Sequence, residues 1–295
     1  MKILITGGSG LLGEYLNRRL SVSHTILTLY NSSAGKCNNY NSVKVDITNN
    51  NQLKGVFSAF MPEIVVHTAA VSNQQKASSL PSKDVFNINV KATQSIAELC
   101  DFYNAKLIYT STDLVYAGYR GSYLKEDAKL IPLSLYAETK LMGEQKITET
   151  FENYIILRTA LLFGFGLNDA KNHFHEMYLH LQKGEKVRLF TDQYRSPLSL
   201  YEAARIIEKL AAFPVYKEII NFGGPEKLSR YDIGIMLCKE AGFNSSLVEP
   251  ITMADIPGMV QVADVSMDIS KLASLGINLQ NNENAMREII TGPVS

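Results

Sequence analysis

Short apolar runs rich in β-branched residues alternate with helical patterns along the first half of the chain. The runs cover residues 2–6, 25–29, 43–45, 64–67, 107–110 and 154–157. Helical patterns cover residues 11–20, 51–60, 83–103 and 134–152, with Asn49 and Ser134 as expected N-caps. Strands that alternate with helices favour a parallel sheet with crossover helices. The pattern therefore predicts an α/β fold with a doubly wound parallel sheet of the Rossmann type.

The spacing of these elements loosens after about Gly164. A helical stretch at 172–183 is followed by an apolar run at 187–190, a turn at Pro197, a helix at 200–212 and a further run at 219–222. Neither a repeat nor a linker separates the two parts. We predict a sheet domain at residues 1–163 and a smaller mixed α/β lobe at residues 164–295, interleaved with the last elements of the sheet.

Charge and cysteine content narrow the functional class. Lys plus Arg and Asp plus Glu both total 29, so no basic excess favours nucleic acid as a partner. The first apolar run meets Gly7 and Gly8, which makes it too short for a signal peptide or a membrane span. Cys37, Cys100 and Cys238 are widely spaced, which favours buried thiols. We expect a cytoplasmic protein without a nucleic-acid or membrane partner.

Glycines recur at positions 7, 10 and 13, directly after the first predicted strand. In a strand–loop–helix unit, such glycines permit a sharp turn, close approach to a pyrophosphate and close packing of helix on strand. A merely flexible glycine-rich loop is the alternative, and the βαβ context argues against it. We predict that this loop binds the phosphates of a dinucleotide cofactor through Gly7, Ser9, Gly10, Leu11, Leu12 and Gly13.

The end of the second predicted strand bears on the choice of cofactor. A carboxylate there would accept from a ribose 2′-hydroxyl, but this chain has Asn31 and Ser32, with Lys36 nearby. These donors favour NADP, with NAD as the alternative, although Asn and Ser are also ordinary turn residues. Asp46 and Ile47 end the third strand, where a carboxylate can accept from the adenine amino group; an Asp that precedes a helix explains them nearly as well.

Tyr136 and Lys140 are four residues apart in a predicted helix, so both side chains lie on one face. A nearby ammonium favours the phenolate and brings the phenol closer to a useful range for proton transfer. On its own this spacing is common on solvated helices. Thr112 follows a predicted strand at its carboxyl end, where ligands bind in open α/β sheets. We predict that Thr112 holds a carbonyl oxygen beside Tyr136 while hydride arrives from the nicotinamide.

The glycine loop, Ser111-Thr112-Asp113 and Tyr136-x-x-x-Lys140 follow one another at separations that resemble the extended short-chain dehydrogenase/reductase superfamily. The segments at 45–48, 62–70, 89–93, 111–116, 136–144 and 157–159 resemble its dTDP-4-dehydrorhamnose reductase branch, and those at 192–197 and 265–272 extend the likeness to nearly the whole chain. The resemblance implies NAD(P)H-dependent reduction of a nucleotide-linked keto-deoxysugar, with Thr112, Tyr136 and Lys140 catalytic. It also implies that Asp46, Ala69, Ala70, Asn89 and Lys140 lie at the cofactor, in contact with it or in support.

The expected substrate side departs from that branch. The resemblance to the branch implies a Tyr directly after the Ser-Thr-Asp segment, where this chain has Leu114. It also implies a Trp at the position where this chain has Leu161. Arg195 stands where Gly is common, and Tyr123 precedes an acidic pair in a position to line a sugar pocket. The cofactor half therefore matches the branch while the sugar half is altered. The sequence specifies the reaction class better than the substrate.

Two alternatives remain open. The regulatory beta subunit of methionine adenosyltransferase resembles the same branch, which allows a non-catalytic, NADP-binding partner subunit. A sugar-nucleotide epimerase or dehydratase is the other, and Leu114 argues against the dehydratase because it cannot act as a base. The spacing of His173, His175 and His180 does not place all three on one helical face, so we expect no metal site. A homodimer is compatible with these readings.

Overall fold

The computed structural model describes residues 1–72, 74–119, 121–167, 172–258 and 260–292. The chain forms two compact units, each made of three segments. Unit 1 comprises Met1–Val115, Pro132–Arg158 and Ala204–Ile220, and unit 2 comprises Tyr116–Ile131, Thr159–Ala203 and Asn221–Ser295. The predicted division was a sheet domain at 1–163 and a lobe at 164–295, interleaved with the last elements of the sheet. The last segment of unit 1 comes from later in the chain because it carries most of a helix and part of a strand of the main sheet.

A seven-stranded sheet dominates the described part of unit 1, in the order β3-β2-β1-β4-β5-β6-β11. Strands β1 to β6 pair in parallel. From β1 the chain adds β2 and β3 on one side of the sheet and then β4, β5 and β6 on the other. This order confirms the predicted doubly wound α/β fold. The strands of the chain are β1 (Lys2–Thr6), β2 (Thr25–Tyr30), β3 (Ser42–Lys44), β4 (Ile64–His67), β5 (Lys106–Thr110), β6 (Tyr154–Thr159), β7 (Leu162–Phe163), β8 (Val187–Phe190), β9 (Tyr194–Arg195), β10 (Leu198–Ser199), β11 (Glu218–Phe222), β12 (Leu228–Ser229) and β13 (Val248–Ile251).

Helices connect these strands, and their apolar faces explain where they pack. Buried leucine, isoleucine and phenylalanine side chains of α2, α5 and α6, such as Phe57, Ile96 and Ile147, join strand residues in one core cluster. Burial of large apolar side chains of this kind is the main stabilising contribution to the unit. The helices are α1 (Leu11–Leu20), α2 (Asn50–Phe60), α3 (Gln74–Ser79), α4 (Ser82–Phe86), α5 (Ala92–Phe102), α6 (Leu135–Thr150), α7 (His173–Gln182), α8 (Leu200–Ala212), α9 (Arg230–Ala241), α10 (Ser270–Ser274) and α11 (Asn282–Thr291).

The two predicted N-caps and the helical segment predicted over 83–103 are confirmed. The side chain of Asn49 accepts from the backbone N–H groups of residues 51 and 52, and that of Ser134 accepts from the backbone N–H of residue 137. The helical segment contains a feature that was not predicted, a π-helical turn at Asn87–Lys91 that joins α4 and α5. Hydrophobic periodicity of 3.6 residues cannot detect one inserted wide turn. This turn carries Asn89, which is buried.

Unit 2 is built from small strand pairs and helices. Strand β7 pairs with β10 and β8 with β13 in parallel, and β9 pairs with β12 antiparallel. Its apolar core contains Phe163 from β7, Phe174 from α7, Leu237 from α9 and Met286 from α11. Helix α9 begins with a capping box in which Ser229 and Asp232 satisfy each other's backbone N–H groups.

Cys37, Cys100 and Cys238 are buried free thiols, as predicted. In the part of the chain that the structure describes, no helix has both the length and the apolar character needed to cross a membrane.

Candidate active site

The predicted phosphate loop lies between β1 and α1 and needs its glycines for space. Gly7 has a φ of +71°, and a Cβ there would lie 2.7 Å from the backbone nitrogen of Ala69. A Cβ at Gly13 would lie 2.2 Å from the Gly7 carbonyl oxygen. Gly10 is the extended N-cap of α1, and its residue type supplies no side chain to cap the helix. The first backbone N–H groups of α1, at Leu11 and Leu12, therefore point out of the helix end towards an anion site.

Two further residues shape this loop, and sequence reasoning gave neither a role. A Cβ at Gly8 would lie 1.7 Å from Thr28 Oγ1, so the loop packs against β2 only with glycine there. Asn17 is fully buried in α1 and its Nδ2 donates to the Gly8 carbonyl oxygen over 3.0 Å. A polar residue on the buried face of an otherwise apolar helix is the signal that would have identified Asn17.

The remaining expected cofactor residues follow strands β2, β3 and β4 at their carboxyl ends. Asn31 and Ser32 are exposed directly after β2, and Ala69 and Ala70 are half-buried after β4. They therefore share the sheet edge with the glycine loop, with Ser9 half-buried in that loop.

Asp46 is exposed and already has local partners. Its Oδ1 accepts from the backbone N–H and the hydroxyl of Thr48, over 2.9 and 2.7 Å. The ordinary turn role weighed from the sequence is therefore present, while neighbouring Ile47 packs against the core of the sheet. Glu14 was missed: this buried carboxylate in the first turn of α1 accepts from the backbone N–H of Lys36 over 3.4 Å. A negative charge thus lies close to the region expected to favour a 2′-phosphate.

Thr112, Tyr136 and Lys140 come from the end of β5 and from the first two turns of α6. Thr112 is 5% exposed and Lys140 2% exposed, while Tyr136 is half-buried against a small apolar cluster that includes Val71 and Val85. The Thr112 hydroxyl lowers the pKa of Tyr136, so the two side chains are neighbours. In the structure, Thr112 Oγ1 donates to Asp113 Oδ1 over 3.2 Å.

Burial governs the protonation of the tyrosine and the lysine. It raises the pKa of Tyr136 to about 12, against a lowering by the hydrogen bond with Thr112. It lowers the pKa of Lys140 to about 7, against a raising by the Glu144 carboxylate. The sequence predicts that the ammonium lowers the phenol pKa, but burial raises it instead, and the opposing contribution comes from Thr112. Tyr136 consequently holds its proton at neutral pH, which suits a proton donor better than a base.

Asn89 supports the site from the π-helical turn. Its Oδ1 accepts from the backbone N–H of Val71 over 2.8 Å, and its Nδ2 donates to Thr139 Oγ1 over 3.1 Å. The side chain therefore connects the segment after β4 to helix α6. Of the two roles left open by the resemblance, these bonds give Asn89 the supporting one.

A buried ion pair between Glu144 and Arg158 connects α6 to the sheet. Glu144 and Arg158 are 3% and 2% exposed and approach to 3.0 Å. Ser111 Oγ also donates to Glu144, over 2.5 Å. Since an unpaired buried charge is costly, this three-residue cluster sets the register between α6, β5 and β6.

Leu114 lies in the short helical turn after β5, half-buried, and its N–H donates to Thr112 Oγ1 over 3.2 Å. It therefore orients the predicted catalytic threonine through its backbone. The other expected substrate residues belong to unit 2 and have unlike surroundings. Tyr123 is exposed at a left-handed φ of +55°, and Arg195 is buried with its guanidinium donating to the carbonyl oxygens of Tyr194 and Val262.

Leu161 borders a pocket of about 150 Å³ within unit 2. At its polar side, Arg230 Nε donates to the buried Gln193 Oε1 over 3.3 Å. Burial lowers the pKa of His173, and the nearby Arg230 lowers it further. The pocket thus combines apolar walls with a fixed cation. Its walls are Leu161, Leu162, Phe163, Asn172, His173, Phe174, Met177, Arg230 and Ile233.

The three histidines of α7 have separate surroundings. His173 borders this pocket, the ring of His175 packs on Phe165, and His180 pairs with Glu185 over 2.5 Å. Across the described ranges, no group of three or more His, Cys, Asp or Glu residues is arranged to hold a metal ion.

Comparison with known proteins finds relatives of two kinds, a reductase and a subunit of another enzyme. The dTDP-4-dehydrorhamnose reductase of Aggregatibacter actinomycetemcomitans is 27% identical over 98% of both chains. Methionine adenosyltransferase 2 subunit beta of Pongo abelii is also 27% identical, over 94% of this chain and 83% of that protein. The crystal structure of dTDP-4-dehydrorhamnose reductase from Bacillus anthracis in complex with NADP superposes with a TM-score of 0.86 and 23% identity over 99% of both chains. The family model described as the RmlD substrate binding domain matches residues 1–293, and the chain belongs to this family.

Proposed function

We propose that this protein is an NADPH-dependent reductase of a nucleotide-linked keto-deoxysugar, with NAD as the alternative cofactor. One observation carries the proposal: the glycine loop and the Thr112, Tyr136 and Lys140 side chains lie in the same unit, at the carboxyl ends of neighbouring strands or directly above them. This is the edge at which open α/β sheets bind ligands. Membership of the family supports the same reaction class.

The loop fits a dinucleotide on structural grounds. Side chains at Gly7 or Gly13 would collide with backbone atoms, so this tight turn keeps the helix end accessible to phosphate oxygens. Leu11 and Leu12 then offer backbone N–H groups, whereas the Gly10 N–H donates to the Gly7 carbonyl oxygen over 2.9 Å within the loop. The short side chains of Ala69 and Ala70 leave room for the dinucleotide. Bound NADPH supplies the hydride for the carbonyl carbon.

The proton comes from this chain. Thr112 and Tyr136 are neighbours, and the Thr112 hydroxyl, which donates to Asp113 Oδ1 in the structure, is proposed to turn to a carbonyl oxygen beside the phenol. Tyr136 gives its proton to that oxygen as the carbon is reduced, and the phenolate is neutralised by a proton from solvent. Lys140 stabilises the phenolate while it exists and holds the nicotinamide ribose. The product is the corresponding hydroxy sugar.

Unit 2 is proposed as the substrate lobe. Its pocket beside Leu161 has apolar walls and the Arg230 guanidinium, which suits part of an anionic nucleotide sugar. Leu161 leaves this pocket open where a tryptophan side chain would occupy more of it. The role proposed for Arg195 is to fix the backbone of this lobe, because its guanidinium is already bound to carbonyl oxygens. Tyr123 is proposed as a rim residue.

The test is NADPH oxidation with a panel of nucleotide-linked keto-deoxysugars, including dTDP-4-dehydrorhamnose. Oxidation that depends on a sugar and falls to background in Tyr136→Phe supports the proposal. The matched control is Tyr216→Phe, which changes an exposed tyrosine. The relatives named as methionine adenosyltransferase 2 subunit beta favour a second candidate, a regulatory subunit that binds the cofactor. NADPH binding without turnover of any sugar, together with co-purification of a second polypeptide, would favour that candidate instead.

A further inference from the structure

Lys140 lies against an aromatic ring. Its Nζ is 4.0 Å from the centroid of the Tyr109 ring, and both side chains are almost fully buried. A buried ammonium loses its hydration, and this loss disfavours the charged form. The face of an aromatic ring carries partial negative charge and attracts a cation within about 6 Å. The Tyr109 ring therefore offsets part of the cost of burying the charge on Lys140.

The Tyr109 ring is held by a chain of polar contacts beneath the site. Its hydroxyl donates to the Lys140 carbonyl oxygen over 3.4 Å, and the neighbouring Thr93 lowers the pKa of that hydroxyl. Thr93 Oγ1 in turn donates to the Asn89 carbonyl oxygen over 2.8 Å and lies 3.0 Å from His67 Nε2. The rings of His67 and Tyr109 also pack with centroids 5.4 Å apart. The ring consequently has one defined position under α6.

Gly143 permits this arrangement. A Cβ there would lie 2.5 Å from the Tyr109 hydroxyl oxygen and 3.0 Å from the Asn89 carbonyl oxygen. Any larger residue would push α6 away from β5. Glycine at this position brings the helix close enough for Lys140, three residues earlier, to lie over the ring.

We propose that Tyr109 is a positioning residue for Lys140: the ring face of Tyr109 stabilises the buried ammonium and fixes the position of the lysine side chain. The inference rests on the proposed function, because Lys140 has its role there. Tyr109 is fully buried, so it acts only through the lysine. In the sequence, Tyr109 is one residue of the predicted strand at 107–110.

The charges around Lys140 agree with this role. Glu144 raises the pKa of Lys140, and the ring face acts in the same direction against burial. The pKa of His67 is lowered to about 3 by its burial and by Lys140, so this imidazole is neutral at physiological pH. The titratable groups that interact with Lys140 or Tyr109 are His67 on β4 and Tyr136 and Glu144 on α6. Arg158 on β6 pairs with Glu144, and Asp113 after β5 interacts with Tyr136.

The test changes the electron density on the face of the ring with little change in the size of the ring. Tyr109→Phe is compared with variants that carry mono-, di- and trifluorophenylalanine at position 109, because fluorine withdraws electron density from the ring face. NADPH affinity is measured by nicotinamide fluorescence from pH 6 to pH 10 in the full-length protein. The loss of affinity at high pH reports deprotonation of Lys140, and Lys140→Met identifies it. Lys146→Met, an exposed lysine on the same helix, is the control.

We expect the midpoint of the alkaline loss to move to lower pH with each fluorine, by about 0.3 to 1 pH unit across the series, while Tyr109→Phe stays near the original protein. A midpoint that ignores fluorination, or an alkaline loss that persists in Lys140→Met, overturns the proposal. A merely structural role would leave this progression absent. Because the readout is cofactor binding, failure to reduce any sugar would reject the proposed function and leave this inference standing.

Discussion

The predicted site residues of the two units have different surroundings. In unit 1, Thr112, Tyr136 and Lys140 are set in a buried framework that includes the Glu144–Arg158 ion pair. In unit 2, Tyr123 is exposed, Arg195 binds backbone carbonyl oxygens, and Leu161 borders an apolar pocket. Hydride transfer requires the same few groups for any carbonyl, whereas recognition depends on the shape of one substrate. A motif can therefore specify the first and cannot specify the second.

Tyr136→Phe tests the predicted site residues of unit 1, and we expect it to have the largest effect of these variants. We expect kcat to fall by about 10² to 10⁴, because a positioned general acid is lost while the ring still packs. NADPH affinity should be unchanged by fluorescence titration. A variant with near-normal kcat would remove the tyrosine from the chemistry and break the contrast between the units.

Gly10→Glu tests whether the loop is the anion site. A carboxylate at the start of α1 would stand against the pyrophosphate, and we expect NADPH affinity to fall by about 10² to 10³. Gly10→Ala should be milder, since its Cβ would lie 3.1 Å from the Gly7 carbonyl oxygen. Gly55→Glu, on an open face of α2, is the charge-matched control. Equal affinity in the two glutamate variants would show that the phosphates bind elsewhere.

Glu144→Ala tests the rigidity of the framework in unit 1. Removal of one partner from a buried ion pair typically costs about 3 to 5 kcal/mol, because the Arg158 charge is left uncompensated. Urea unfolding should show a loss of that size. Glu149→Ala breaks an exposed pair with Lys146 on the same helix, and its expected cost is about 0.5 kcal/mol or less. Similar losses for both variants would contradict a special role for the buried pair.

Leu161→Trp tests the expected substrate side, where this chain departs from the reductase branch. The larger side chain should occupy part of the 150 Å³ pocket and restore an aromatic surface for the sugar. We expect KM for dTDP-4-dehydrorhamnose to fall about three- to tenfold with little change in kcat. Leu133→Trp, at an exposed site in unit 1, serves as the control. An unchanged KM would separate this pocket from sugar recognition.

Cofactor preference tests the residues that follow β2 in unit 1. Asn31, Ser32 and Lys36 favour a 2′-phosphate, while the buried Glu14 nearby opposes it, so we expect NADPH to bind about tenfold more tightly than NADH. Asn31→Asp should reduce the ratio towards one, and Asn38→Asp, at another exposed asparagine, should not. The measurement is competitive titration at constant ionic strength. Tighter binding of NADH would reverse the assignment and leave the fold unchanged.

The comparison also explains which structural predictions succeeded. Strands β1 and β4 and helix α1 lie where the pattern placed them, because short continuous apolar runs mark buried parallel strands and a 3.6-residue period marks a helix. The helical segment predicted over 83–103 is also present, but the sequence did not show its π-helical turn, which changes hydrogen bonding without a change in hydrophobic pattern. Glu144 and Arg158 were read as motif letters, since nothing local in the sequence shows that two residues 14 positions apart form a buried pair.

Local sequence alone determined the fold class, the glycine loop and the presence of Thr112, Tyr136 and Lys140 as candidates for chemistry. Glycine spacing and the i, i+4 relation act over a few residues, so they can be read directly. The tertiary structure decided which way burial shifts the tyrosine and lysine, and it placed the Tyr109 ring 4.0 Å from Lys140. Desolvation and cation–ring contact depend on residues brought together from distant segments, and a one-dimensional pattern does not contain those distances.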